Sequence, residues 1–244
     1  MAFKSEFMKV FKEGLEPYGF KRMKGTDFFG KLINNEILLF ISYKPCGSIN
    51  RGMKAFDIIS GIQTIYSKDL TTHQLQLSST SLCKYPVLDT NIKRISHFEY
   101  DASSVTNVIK ESYNRTSQLA LPFLLKANDL KKCLDYLTIY WMGSLYPADR
   151  MHRDSVLLIL TDDHESFDHK LNLVDDYLLN YYEGNTSTPY YQSSLEGCHS
   201  ALHELIDSRD RVWASKELQE QVFREAERRA ENNKAVLRKY GFEI

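Results

Sequence analysis

The run at residues 36–44 limits the possible folds more than any other part of this chain. Ile37, Leu39, Ile41 and Tyr43 fall on one face of an extended segment, and Leu38 and Phe40 on the other. A strand apolar on both faces is central in its sheet and covered from both sides. The flanking residues supply neighbours for it. Residues 28–33 read as a second strand, joined to the first at Asn34-Asn35, and residues 53–67 as a third. In that third run Phe56, Ile58, Ile62 and Tyr66 share one face, and Asp57, Ile59, Gly61 and Ile65 the other. Gly61 inside it marks a bulge or a close backbone approach.

A helix precedes the strands. Phe3, Phe7, Val10, Phe11 and Leu15 recur at helical spacing, with Lys and Glu on the opposite face. Pro17 cannot continue it, and Gly19 suits the left-handed exit. Residues 68–91 are polar and read as a loop with a short strand at 82–85. A mixed run at 92–100 reads as a strand nearer a sheet edge.

From Ser103 the period changes from two to 3.6. Val105, Val108, Ile109, Ser112, Thr116, Leu119 and Phe123 form one stripe, and Pro122 calls for a kink or stop. A second helix opens at Asn128. Val156 to Leu160 is ambiguous by periodicity and is read as helical from its neighbours. Ser166 is a suitable N-cap for a helix carrying Leu171, Val174 and Leu178. Further helices are expected over about 193–207 and 215–240. The fold class is therefore α+β. An antiparallel or mixed sheet of four to five strands with packed helices comes first, followed by an all-helical C-terminal half. The division expected is residues 1–127 as the α+β domain and 128–244 as a helical domain or extension. Tyr18-Gly19-Phe20 and Tyr240-Gly241-Phe242 each close a helix as a glycine C-cap followed by an anchoring aromatic.

With 244 residues, 43% of them hydrophobic, the chain can bury a sizeable core without staples. The net charge of -1 shows no basic excess, which argues against nucleic acid and anionic lipid as partners. Cys46, Cys83, Cys133 and Cys198 are far apart and form no C-x-x-C pair, so reduced thiols in a cytoplasmic chain are expected. Charges interrupt the N-terminal apolar residues, so no signal peptide is read there. No apolar run approaches the ~20 residues of a membrane span.

Leu15, Tyr18-Gly19-Phe20-Lys21, the Phe28-Phe29 strand start, Leu38, Phe40-Ile41, Phe56-Asp57-Ile58 and Gly61-Ile62 form one ordered pattern over residues 3–66. That pattern resembles an uncharacterised bacterial family, the domain of unknown function 4304. Ser42 and Tyr43 stand where the family has a glutamine. The resemblance implies an α+β domain of bacterial origin and attaches no activity to it.

Three groups of residues can carry function. His199 and His203 lie four apart on a helix, so their imidazoles can share a metal. Ser200 occupies the place where a zinc protease needs glutamate, and His199 shares the inward stripe of Leu195 and Leu202, as a hydrogen-bonded core histidine does. Asp162-Asp163-His164-Glu165 with Asp168-His169 is the densest acid and histidine cluster. It suits acid–base work, a hard metal, or the dipole of the following helix. Tyr181, Tyr182, Tyr190 and Tyr191 bracket a polar turn and form either a binding surface or the anchors of that turn. There is no G-x-S-x-G, P-loop, G-x-G-x-x-G or H-E-x-x-H, and no cofactor is expected. The expected function is binding, with another protein as partner, as a bacterial accessory or immunity-type module. The alternative is an enzyme with a site assembled from dispersed His, Asp and Glu residues.

Overall fold

The structure, a computed structural model, describes residues 3–84, 97–134, 156–182 and 184–244. Helix α1 (Phe3–Leu15) leads through a tight turn at Glu16–Tyr18 into strand β1 (Lys21–Arg22). The strands β2 (Phe29–Ile33), β3 (Ile37–Cys46) and β4 (Lys54–Thr64) follow as an antiparallel meander. Helix α2 (Thr72–Leu77), β5 (Thr80–Ser81) and β6 (Phe98–Tyr100) complete the sheet half. Helices α3 (Val105–Leu119), α4 (Leu121–Leu124), α5 (Phe167–Tyr181), α6 (Pro189–Trp213) and α7 (Lys216–Lys239) come next, with helical backbone also at 130–134 and 156–160.

Among the described residues the sheet has six strands, all antiparallel, in the order β1-β2-β3-β4-β5, with β6 on the same edge of β4 as β5. The expectation of four or five strands missed β1 and β5, which are only two residues long. The β2–β3 turn places both Asn34 and Asn35 at positive φ, a conformation asparagine tolerates and tight hairpins need. β3 and β4 pair without a slip from Ile37↔Thr64 to Cys46↔Ala55. Of the two readings of Gly61, close approach is therefore the right one. It faces Phe40 across the ladder, and a Cβ there would meet the Phe40 ring at 2.7 Å.

Both faces of β3 are covered, as its sequence demands. One face buries Ile37, Leu39 and Ile41 with Phe7, Phe11 and Leu15 of α1 and Ile109 of α3. That core continues into Leu157, Val174, Leu178, Leu202 and Leu205 of the helical half. The other face buries Leu38, Phe40 and Ile59 with Leu75 of α2 and Ala230 and Leu237 of α7. The change from strands to helices near residues 101–127 thus marks a change of secondary structure within shared cores. The last helix returns to the sheet as its second cover.

Residues 68–84, read from sequence as loop with a short strand at 82–85, hold α2 and β5, and Leu82–Lys84 form a helical turn where that strand was expected, the short strand lying just before it at Thr80–Ser81; Thr71 caps α2. The remainder of that stretch, to residue 96, lies outside the described residues, as do Trp141 and Gly143 of the helix opening near Asn128. The α3–α4 joint falls at Ala120, just before Pro122. Ser166, Thr188 and Ser215 cap α5, α6 and α7 by accepting the backbone N–H three residues on. α6 starts earlier than its apolar stripe suggested, because Thr188 with Pro189 forms a helix start within the tyrosine-flanked turn.

The two Tyr-Gly-Phe closures are neighbours in space. Gly19 and Gly241 both take positive φ, and Phe20 and Phe242 are both buried. Lys21 Nζ donates to the Gly241 carbonyl at 2.6 Å and lies over the Phe242 ring, while the Lys24 amide donates to the Tyr240 carbonyl. The end of the last helix is thus fastened to the strand that follows the first.

Candidate functional site

The acid and histidine cluster before α5 turns inward. Asp163 and Lys170 form an ion pair at 2.6 Å with both side chains 1% exposed. Lys170 also reaches Glu165 Oε2 at 3.4 Å. Asp163 accepts the Glu165 backbone N–H, and the buried Arg209 of α6 donates to the carbonyls of Asp163 and Glu165. Burial pushes the Asp163 carboxyl up, but the Lys170 hydrogen bond, the Glu165 amide and the charges of Lys170 and Arg209 outweigh it and hold it below its ordinary value. His164 and Arg209 pack on Trp213, and His169 lies 3.8 Å from Glu165. The buried charges of Asp163, Lys170 and Arg209 are all turned on other protein groups. The arrangement is a polar clasp joining the start of α5 to α6.

His199 and His203 have different partners on α5. His199 Nε2 lies 2.7 Å from Asp175 Oδ1 of α5, and the His203 ring stacks on Phe167 with centroids 3.8 Å apart. Beside His199, burial and then Asp175 push the Cys198 thiol up to about 12, far from a reactive thiolate. Among the described residues no three His, Cys, Asp or Glu side chains are placed to hold a metal ion. The cysteines are all free thiols. No helix among the described residues is long and apolar enough to cross a membrane.

Of the four tyrosines, Tyr182 and Tyr191 pin the turn. Their rings meet edge to face at 5.5 Å, and the Tyr182 hydroxyl lies 2.8 Å from Ser194 Oγ. Tyr191 is buried, whereas Tyr190 is 78% exposed. Tyr181 ends α5, and its side chain lies outside the described residues.

Two features escaped the sequence reading. The first is an open groove of about 600 Å³ between α7 and one end of the sheet. The β2–β3 turn supplies Asn34, Asn35 and Glu36, and the exit of β4 supplies Ile65 and Tyr66. Glu227, Ala230, Glu231 and Lys234 line it from α7, at the spacing of one helical face. Its walls are fixed from behind: buried Asn233 donates to the carbonyls of Ile65 and Ser67, and Arg229 to that of Tyr66. Tyr66 donates to Glu36 at 2.8 Å; burial and then that carboxylate raise its pKa, so it stays a neutral donor. Glu231 pairs with Lys234 at 3.1 Å, whereas exposed Glu227 has no cationic partner among the described residues. Three carboxylates against one ammonium make the groove acidic. Its lining has no histidine, cysteine or serine to act as base or nucleophile.

The second feature lies at the opposite end of the β3–β4 pair. Glu99 of β6 reaches under the connecting turn and accepts hydrogen bonds from Ser48 Oγ at 2.7 Å, the amide of Ile49 at 2.5 Å, the amide of Asn50 at 3.2 Å and the Asn50 side chain. The Ser48 hydroxyl and then those amides hold its carboxyl down to about 2. The turn so fixed presents Ile49 at 82% exposure, flanked by exposed Lys44, Arg51 and Lys54. Behind it, burial pushes the Asp57 carboxyl up to about 6 against the opposing pull of Ser81, the Ile58 amide, Lys44 and His97. Only the α7 wall of the groove had a local signal. Glu227, Glu231 and Lys234 sit directly beside the apolar stripe of α7, but nothing local says which surface that stripe would meet.

The chain matches no protein-family model, no curated protein and no solved structure.

Proposed function

We propose that this chain works by binding, and that its partner is another protein offering a basic segment to the groove between α7 and the β2–β3 turn. The observation that carries this reading is the groove's lining. Glu36, Glu227 and Glu231 stand around a floor of Ile65 and Ala230, with Asn34, Asn35 and Tyr66 as further polar groups. Such a set suits an arginine or lysine side chain, whose aliphatic stem lies on the floor while its charged end meets carboxylates. The groups that suggested chemistry in the sequence support the same reading. Asp163, His199 and His203 each have a structural partner. The bacterial origin rests on the family resemblance alone, and the accessory or immunity-type role on a well-formed core, a near-neutral charge, aromatic-rich loops and the lack of a catalytic motif in the sequence.

The test is a titration with labelled peptides, hexa-arginine against hexa-glutamate, followed by fluorescence anisotropy. Hexa-arginine is expected to bind and hexa-glutamate not. Glu227→Lys with Glu231→Lys should weaken arginine binding at least tenfold while leaving the melting temperature close to that of the parent, since both side chains are exposed. Equal binding of the two peptides, or arginine binding unchanged in the variant, overturns the reading.

A further inference from the structure

We infer that the basic segment that enters the groove belongs to a second copy of this chain: the β3–β4 turn around Ile49. The inference rests on the reading of the groove above and names its occupant. The two features are complementary in charge and in apolar character. The turn projects one exposed aliphatic side chain with Lys44, Arg51 and Lys54 around it and no carboxylate among residues 44–54. The groove offers Ile65 and Ala230 as an apolar floor and Glu227 and Glu231 on the α7 wall. Apolar contact at the centre with opposite charges at the rim is the usual anatomy of a protein interface.

The turn is also rigid before it binds. Four hydrogen bonds to the Glu99 carboxylate fix Ser48, Ile49 and Asn50, although holding Ile49 in water gains the isolated molecule nothing. A fixed loop loses little entropy on docking. One molecule cannot join its own two ends. β3 runs ten residues from the groove end at Ile37 to the turn end at Cys46, which at ~3.3 Å per residue separates them by roughly 30 Å. The contact is therefore between molecules and joins two different surfaces. Such head-to-tail contacts generate rings or open chains instead of closed two-fold dimers.

The experiment is sedimentation equilibrium on full-length chains. One variant, Ile49→Asp with Arg51→Glu, loses the turn; the other, Glu227→Lys with Glu231→Lys, loses the groove. All four positions are exposed, and melting curves confirm folding. The parent mass is expected to rise with concentration from 28.4 kDa past twice that value. Raising salt from about 0.1 M to about 1 M shortens the screening length from ~10 Å to ~3 Å and should weaken association roughly tenfold. Each variant alone should stay monomeric. An equimolar mixture should form a dimer and nothing larger, because each partner keeps one working end. A monomeric parent, variants that associate like the parent, or a mixture that stays monomeric overturns the inference. Hexa-arginine separates the two readings. If it binds the groove while the parent stays monomeric, the second copy is wrong and the groove stands; if it does not bind, both fall.

Discussion

The two halves of this molecule hold themselves together differently. In the sheet half the large fully covered side chains are the ones hydropathy points to, among them Phe7, Phe11, Phe40, Ile41 and Ile58, and most polar residues buried with them, such as Ser60, Gln63 and Thr64, carry no charge. In the helical half a lysine, an aspartate and an arginine lie inside with the leucines, at Lys170, Asp163 and Arg209. Apolar burial tolerates small errors of position because it has no direction. A buried ion pair must be made in full, because each partner leaves a costly charge behind if the other is lost. The helical half is thus joined by a few directional contacts and the sheet half by many non-directional ones.

The sharpest way to break that contrast is to remove one residue from each. Phe40→Ala leaves a cavity on the α7 face and should cost about 3–5 kcal/mol. Lys170→Ala removes a charge yet should cost a similar ~3–5 kcal/mol, by stranding the Asp163 carboxylate. Urea unfolding at pH 7 measures both. Their pH dependence should differ. The Asp163 pKa is lowered on folding, so its stabilisation is complete above the unfolded carboxylate range and is lost as pH falls through the folded value. The Lys170→Ala deficit should therefore shrink in acid, whereas that of Phe40→Ala should stay constant. Asp163→Asn added to Lys170→Met should recover part of the loss, since the amide oxygen can still accept the Glu165 N–H. A Lys170→Ala protein as stable as its parent would remove the distinction between the halves.

Asp57 is a counter-example within the sheet half, a carboxylate placed where it does not help. Its folded pKa of about 6 lies above the ordinary value, so the folded state holds the proton more tightly than the unfolded chain does. By linkage this group lowers stability as pH rises from about 4 through about 6, by at most about 3 kcal/mol for ~2 pH units. Asp57→Asn should then raise the melting temperature at pH 7.5 and change it little at pH 4. Equal effects at both pH values would mean that the carboxyl is better solvated than its surroundings indicate. The smaller loss of Asn233→Ala, about 1–3 kcal/mol, would come from the carbonyls of Ile65 and Ser67 losing their donor. It tests whether the α7 cover depends on polar pegs as well as on Ala230 and Leu237.

What could be read from the sequence follows the same division. The two apolar faces of β3, the hairpin at Asn34-Asn35, the helix exits at Gly19 and Gly241 and the cap at Ser166 are local in origin. Each depends on residues within a few positions, so spacing and turn chemistry find it. The length of α6 was misjudged because Thr188 and Pro189 sit among tyrosines that drew attention to binding. The clasp was read as acid–base or metal-binding residues, or as partners of the dipole of the following helix, because the contact of Asp163 with Arg209 spans 46 residues. The groove was invisible for a stronger reason. Glu36 and Glu227 line one groove only because α7 returns to the second face of the sheet, and pattern alone does not fix where an amphipathic helix docks.

The smallest expected effect concerns the histidines, and it tests whether the helical half is joined by specific pairs or by a shared ligand. His199 is oriented by Asp175 and His203 by the Phe167 ring, so the two imidazoles are held apart by different partners. A shared metal would require both contacts to break. Zinc should therefore leave the melting temperature of the parent unchanged. His203→Ala should cost about 1 kcal/mol or less, the order of one exposed ring contact. His199→Ala should cost a similar amount, because both members of its pair with Asp175 remain partly in water. A rise in melting temperature on adding zinc, abolished by His203→Ala, would show that these side chains rearrange to take a metal, and that the helical half has a third way of joining α5 to α6.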